Sequence, residues 1–238
     1  MKVTKVLLDT DIGDDIDDAW ALSLCIRHPK IRLVGVTTVR GDTEIRAALC
    51  RLLLESANII GVEVVAGSRD ALDGTTDPYR PKYADALEHD EQRLKKGRTN
   101  AIRFMAEVAR RNPGLSLITI GPLTNAARLA LEFPREFATI TRHVMMCGDL
   151  IPDKEEPEYN AGCDPRATQI ALSTKVPKIV VGLDVTLKCG LLEEDLGKLW
   201  SKGTPLATAL GRMTRLWQGK SGIMPIMHDP LAVMSAVE

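Results

Sequence analysis

Short runs rich in β-branched residues alternate with longer amphipathic runs along this chain, and that alternation limits its fold more than any other feature. Residues 3–8, 31–39, 62–66, 115–120, 143–147 and 178–185 predict buried strands. Between them, 44–56 ("EIRAALCRLLLES"), Ala101–Arg111 ("AIRFMAEVARR") and Pro165–Ser173 ("PRATQIALS") carry helical periodicity. Strands alternating with helices predict an α/β fold, a mostly parallel central open sheet of Rossmann-like type with helices on both faces. Ligands of such sheets collect at the carboxyl ends of the strands. Residues 67–97 are the least regular stretch. There "DGTTDPYRPKY" predicts a loop and "ADALEHDEQRLKK" a polar helix or flexible lid.

No linker, repeat or low-complexity segment divides the 238 residues, so a single domain over 1–238 is expected. A formal net charge of −1 gives no electrostatic case for nucleic acid or an anionic membrane. Aromatics at 4% argue against a base-stacking surface. Five scattered cysteines without a CxxC predict reduced thiols and a cytoplasmic protein. The opening "MKVTKVLLDTD" lacks the long apolar run of a signal peptide, and no stretch is long and apolar enough to span a bilayer.

Polar residues gather where the predicted strands end. Asp9 and Asp11 follow the first, "RGD" (40–42) the second, "GPLTN" (121–125) the fourth and "GD" (148–149) the fifth. In a parallel sheet these share one edge, with "EYN" (158–160) and "HDP" (228–230) available beside them. The first stretch is the most unusual, since "DTDIGDDIDD" holds Asp9, Asp11, Asp14, Asp15, Asp17 and Asp18. Helix capping accounts for one or two of these aspartates, not six. An EF-hand loop fails on spacing, because Gly13 and Trp20 fall where acids belong. An aspartyl-phosphate hydrolase would need a hydroxyl two residues after Asp11, where Gly13 stands. A hard-cation site fits best, because Ca²⁺ or Mg²⁺ takes carboxylate and carbonyl oxygens and relieves the crowding.

Four motifs in order, "DTDIGDDIDDAWAL", "TTVRGD", "IGPLTNAARLAL" and "HDPLAV", with "EYNAGCDPRAT" and "GLDVT", run from Leu8 to Val233. In this set the chain resembles the inosine-uridine-preferring nucleoside hydrolase family. The resemblance implies Ca²⁺-dependent hydrolysis of the N-glycosidic bond of ribonucleosides, within purine and pyrimidine salvage. It implies a calcium ion held by Asp11, Asp18, Asp229 and the Ile120 carbonyl, with Asp11 also the general base. Asp17, Asp42, Glu158 and Asn160 would bind ribose, Met146 would pack on the sugar, and His228 would protonate the leaving base. A small-molecule ribonucleoside is the expected partner, and a homo-oligomer is compatible with the resemblance.

Three departures bear on these expectations. Five residues separate Asp11 from the Asp17–Asp18 pair, a longer acidic turn than the family's usual one, which makes Asp14 and Asp15 rivals of Asp17 for the ribose. Asp42 stands where an asparagine is usual. The chain stops at Glu238, shortly after "HDPLAV", where family members usually continue. A natural short form, a truncated chain and a degenerate paralogue are all compatible with that end. Two functional classes follow, an active ribonucleoside hydrolase and a non-catalytic nucleoside-binding relative.

Overall fold

A strand paired in parallel on both sides has helices over both faces, and β1 (Thr4–Thr10) carries the sequence this demands. Val6 and Leu8 enter one core and Leu7 the other, all fully buried. Burial of each such side chain contributes about 1.5–3 kcal/mol. The computed structural model describes residues 3–150 and 156–237. β2 (Ile31–Thr38), β3 (Val64–Ala66), β4 (Leu115–Thr119), β5 (Arg142–Met146) and β6 (Lys178–Val181) complete one sheet. Its order is β3-β2-β1-β4-β5-β6, and every neighbouring pair is parallel. The chain moves outward from β1 in one direction through β2 and in the other through β4. The gap between β1 and β4 is therefore the topological switch point, where a doubly wound sheet opens a ligand crevice.

The helices are α1 (Asp17–Arg27), α2 (Thr43–Ser56), α3 (Glu91–Leu94), α4 (Ala101–Arg111), α5 (Thr124–Glu132) and α6 (Pro134–Phe137), then α7 (Tyr159–Cys163), α8 (Pro165–Ser173), α9 (Leu183–Thr186), α10 (Glu193–Trp200), α11 (Pro205–Ser221) and α12 (His228–Ser235). Helices α1, α2, α11 and α12 share the core of Val6, Leu8, Val36 and Ile118. Helices α4 and α5 cover Leu7, Val65 and Leu117, and α8 packs with Met145 and Cys147 in a smaller cluster. The expected α/β sheet with two covered faces is thus present.

Two segments differ from the sequence expectation. The sixth strand ends at Val181, and "LDVT" turns into α9. Gly182 makes that turn, because a Cβ there would stand 2.4 Å from Asp184 Oδ1. The 84–94 stretch is a 3₁₀ turn (Ala84–Asp90) followed by α3. Tyr83, Ala84, Leu87 and Leu94 are buried in the core with α2 and α11, which anchors the segment to the body of the protein.

Candidate active site

The site begins inside β1. Asp9 is fully buried, and its Oδ1 accepts from Thr37 Oγ1 (2.6 Å) and Asn125 Nδ2 (2.8 Å). Burial raises its pKa to about 7, and its Oδ2 has no hydrogen-bond partner. Asn125 also donates to Thr38 O and accepts from Ser68 N. One carboxyl and one amide thereby tie together β1, β2, the chain after β3 and the start of α5.

The acidic turn follows, and its charge is met by an arginine. Arg46, on α2, is fully buried. Its guanidinium pairs with Asp14 Oδ2 at 2.7 Å and donates to the carbonyls of Asp11, Ile12 and Arg40. Asp14 also accepts from Tyr79 Oη (2.9 Å) and Lys82 N (3.3 Å). Tyr83 Oη accepts from Gly13 N (2.9 Å) and donates to Asp15 O (3.0 Å). Gly13 sits at φ +135°, and a Cβ there would stand 2.5 Å from Pro81 Cβ. The added residues of the turn are thus folded back against α2 and the 79–83 segment.

Asp11, Asp17, Asp18 and Asp229 surround a cavity of about 320 Å³, lined also by Asp14, Asp15, Ile120, Met146, Glu158, Asn160 and His228. Asp17, Asp18 and Asp229 are buried, and each can present a carboxylate oxygen within 4.8 Å of the others. Burial holds all three pKa values well above the usual carboxylate range, and repulsion from neighbouring aspartates adds to it, from Asp15 and Asp11 on Asp17, and from Asp11 and Asp17 on Asp18 and Asp229. Asp11 stands beside them, since its charge is the largest repulsion on Asp18. Burial lifts its own pKa to about 6 against the pull of Arg46. The fit at Asp11 is close, for a Cβ on Gly121 would lie 2.6 Å from Asp11 Oδ1. Asp17 Oδ2 accepts from Asp229 N (3.0 Å), joining the first turns of α1 and α12, and Thr10 donates to Asp18.

Glu158 caps α7, accepting from the backbone amides of Gly148 (2.8 Å), Asn160 (2.8 Å) and Ala161 (3.0 Å). Asn160 Nδ2 donates to the carbonyls of Ile120 (3.2 Å) and Met146 (3.1 Å). His228 Nδ1 contacts Thr186 Oγ1 at 2.6 Å, and burial lowers its pKa. Tyr79 and Tyr159 hydroxyls lie 3.5 Å apart, with the Arg40 guanidinium 4.8 Å from the Tyr159 ring centre.

Every residue expected from the sequence lines this cavity except Asp42. Asp42 instead caps α2, accepting from Ile45 N at 3.1 Å, because it directly precedes the first helical turn. Of the expected cation ligands, Asp18 and Asp229 belong to the tight carboxylate cluster, Asp11 flanks it, and Asp17 joins it. Arg46, Tyr83 and Thr186 were not apparent from the sequence. The available signal was an arginine one turn before Cys50 and two before Leu53, on the apolar side of an otherwise amphipathic helix.

A carboxylate-walled crevice at the switch point of a 3-2-1-4-5-6 sheet defines a class, α/β proteins that act on a small polar ligand at the strand ends. The particular family follows from comparison. The sequence profile of the inosine-uridine preferring nucleoside hydrolases matches residues 6–238, and the chain belongs to that family. It is 29% identical over 258 residues to uridine nucleosidase 1 of Arabidopsis thaliana, covering 99% of this chain and 74% of that one. It is 27% identical over 226 residues to the pyrimidine-specific ribonucleoside hydrolase RihA of Klebsiella pneumoniae, covering 87% and 69%. The solved plant nucleoside hydrolase PpNRh1 superposes with a TM-score of 0.83 at 24% identity, over 99% of this chain and 79% of that chain. The inosine-uridine preferring nucleoside hydrolase of Bacillus anthracis superposes at 0.78 and 21%, over 99% and 82%. At these identities the superpositions show the shared fold. Family membership makes the chain a nucleoside hydrolase.

Proposed function

We propose that this chain hydrolyses the N-glycosidic bond of ribonucleosides to ribose and free base, and that it needs Ca²⁺ to do so. The observation that carries the reading is the buried Asp17, Asp18 and Asp229 cluster at the switch point, with Asp11 beside it. Carboxylates packed this closely out of water require protons or a cation, and a set made only of oxygens suits a hard cation. Asp11, Asp18, Asp229 and the Ile120 carbonyl are the donors proposed to hold it. When bound, calcium would supply the positive charge these groups lack and acidify a water beside it.

The chain's own residues account for the remaining chemistry. Asp11 takes a proton from the attacking water. The sugar gains oxocarbenium character as the base departs, and the surrounding carboxylates favour that positive charge. Asp17, Glu158 and Asn160 hold the ribose hydroxyls, and Met146 packs on the sugar. Asp14 is committed to Arg46 and Tyr79, which favours Asp17 over Asp14 for the ribose. His228 donates to the leaving base. Its Nδ1 stands 2.6 Å from Thr186 Oγ1, a contact that fixes the ring at the cavity wall. Five free cysteines support a reducing, cytoplasmic setting, and the products suit salvage of bases.

The test measures release of free base from matched ribo- and 2′-deoxyribonucleosides, with calcium binding followed by calorimetry. Ribonucleosides should be cleaved at least about 100-fold faster, because a site built for a diol leaves polar groups unpaired without it. Asp229→Asn should lose calcium binding and turnover together. Equal rates on both sugars would refute the ribose assignment. Calcium binding without cleavage of any nucleoside would favour the non-catalytic reading.

A further inference from the structure

Arg46 has no exposed surface and stands behind the catalytic cavity without lining it. Four of the five N–H groups of its guanidinium have acceptors. Nε donates to Arg40 O (2.7 Å), Nη2 to Asp14 Oδ2 (2.7 Å), and Nη1 to both Asp11 O and Ile12 O, the second at 3.1 Å. One planar group thus ties the chain leaving β1 to the chain leaving β2. Leu49, Cys50 and Leu53 follow on α2 and are fully buried, so an apolar side chain at 46 would suit the surroundings by packing alone.

Two observations connect this group to Asp11 and not to Asp14 alone. The first is geometric. Arg46 takes the Asp11 carbonyl on one side. On the other, a Cβ on Gly121 would lie 2.6 Å from Asp11 Oδ1 and 2.9 Å from Asp11 N. The guanidinium therefore fixes the main chain that carries a carboxylate of the cavity wall. The second is charge. Of the charges around Asp11, that of Arg46 bears on it most, and as a charge alone Asp11 pulls harder on Arg46 than Asp14 does. A lysine cannot serve in its place, since one ammonium does not fork across three carbonyls. A buried ion pair contributes little stability over apolar residues of the same volume, so stability alone does not account for the arginine.

We propose that Arg46 is the positioning residue of the catalytic base. It holds the Asp11 main chain so that the carboxylate meets the attacking water, and its positive charge beside a cation ligand lowers calcium affinity. Asp14 offsets that charge, which gives this acidic residue of the longer turn its own role. The inference rests on the reading of Asp11 as the base of a calcium-dependent nucleoside hydrolase. It carries a signed consequence that a packing role lacks. Removing the arginine should raise calcium affinity and lower turnover.

The comparison is made in the Asp14→Asn background, where losing the arginine strands no ion-pair partner. Asp14→Asn and Asp14→Asn with Arg46→Met are titrated with calcium by calorimetry and assayed on uridine and inosine, with folding checked by near-ultraviolet circular dichroism. Asp14→Asn should bind calcium about fivefold more weakly than the native chain, because Arg46 is then uncompensated. Adding Arg46→Met should recover that loss, while kcat falls at least about 30-fold below Asp14→Asn and KM stays within about threefold. Asp14→Asn with Arg46→Lys keeps the charge without the fork. It should keep the weaker calcium binding and lie between the other two in kcat, and it carries the comparison if the methionine variant does not fold. Calcium affinity and turnover that fall together in the methionine variant, an unchanged kcat, or a loss confined to KM would overturn the proposal. A native chain that binds calcium and cleaves no nucleoside would refute the hydrolase reading and the proposal with it. That result is distinct from native turnover that survives the loss of the arginine, which sinks the proposal alone.

Discussion

Asp11 and Arg46 carry opposite charges a few ångströms from the same backbone, and each has a separable consequence. Asp11→Asn keeps an oxygen donor and removes the base. Turnover should fall about 100-fold or more, while calcium still raises the melting temperature. A variant that loses both together would make Asp11 a cation ligand without a base role. Arg46 neutralises the acidic turn from within the core. Arg46→Met leaves Asp14 buried without its partner and should cost about 3–5 kcal/mol in urea denaturation. Adding Asp14→Asn should recover much of that loss, and a double-mutant cycle measures the coupling. A purely additive pair would show that Arg46 acts through packing alone. The aspartates were legible from their crowding, and Glu158, Asn160 and His228 through the family resemblance; all of these residues except Asp9 line the cavity. Arg46 and Tyr83 were not, since each acts across more than thirty residues and only the fold brings it to the turn. Asp42 was legible as polar but not as a cap, because capping depends on where the helix starts.

Among the elements, the acidic turn between β1 and α1 shows how a longer loop is accommodated. Its five extra-helical residues, 12–16, are held by Arg46 at Ile12 O and Asp14 and by one phenol at Gly13 N and Asp15 O. Tyr83→Phe should therefore cost about 1–3 kcal/mol, since two backbone groups lose a buried partner. It should also raise KM more than a surface substitution of the same segment, such as Glu88→Gln. Unchanged stability and kinetics in Tyr83→Phe would show that Arg46 holds the turn without the phenol. Five strands and three helices were readable to within two residues from periodicity, because parallel strands buried on both faces give continuous apolar runs. The sixth strand was overread, as "GLDVT" keeps β-branched residues past the glycine that ends the strand. The 84–94 segment was underread for the opposite reason. Its acidic residues dominate the sequence, while Tyr83, Leu87 and Leu94 supply the anchoring contacts.

At the scale of the whole molecule, the crevice makes stability depend on pH and cation together. Asp9 titrates near 7 and Asp11 near 6, and Asp17, Asp18 and Asp229 lie well above 3.8. In the cation-free protein these groups hold protons that the unfolded chain has already released. Their contribution is complete below about pH 4; that of Asp11 and Asp9 is lost as pH rises through about 6 and 7, and that of Asp17, Asp18 and Asp229 is likewise lost as pH rises. His143 works in the other direction. Fully buried against Phe137, its pKa falls to about 3, so below about 6.5 the unfolded chain binds a proton the folded one does not, and stability is lost as pH falls. Five carboxyl groups outweigh one imidazole, so the cation-free protein should melt at a lower temperature at pH 8 than at pH 5. Calcium requires the deprotonated carboxylates, and its stabilisation should grow over the same interval. At a concentration one hundred times its Kd, a single ion contributes about 2.7 kcal/mol. For a domain of this size that is a rise of roughly 5–10 °C in melting temperature at pH 8. The rise should be much smaller at pH 5 and absent in Asp229→Asn. Thermal denaturation with and without calcium across pH 5–8 makes the measurement. A protection that is flat with pH, or that survives in Asp229→Asn, would place the cation somewhere other than this cluster.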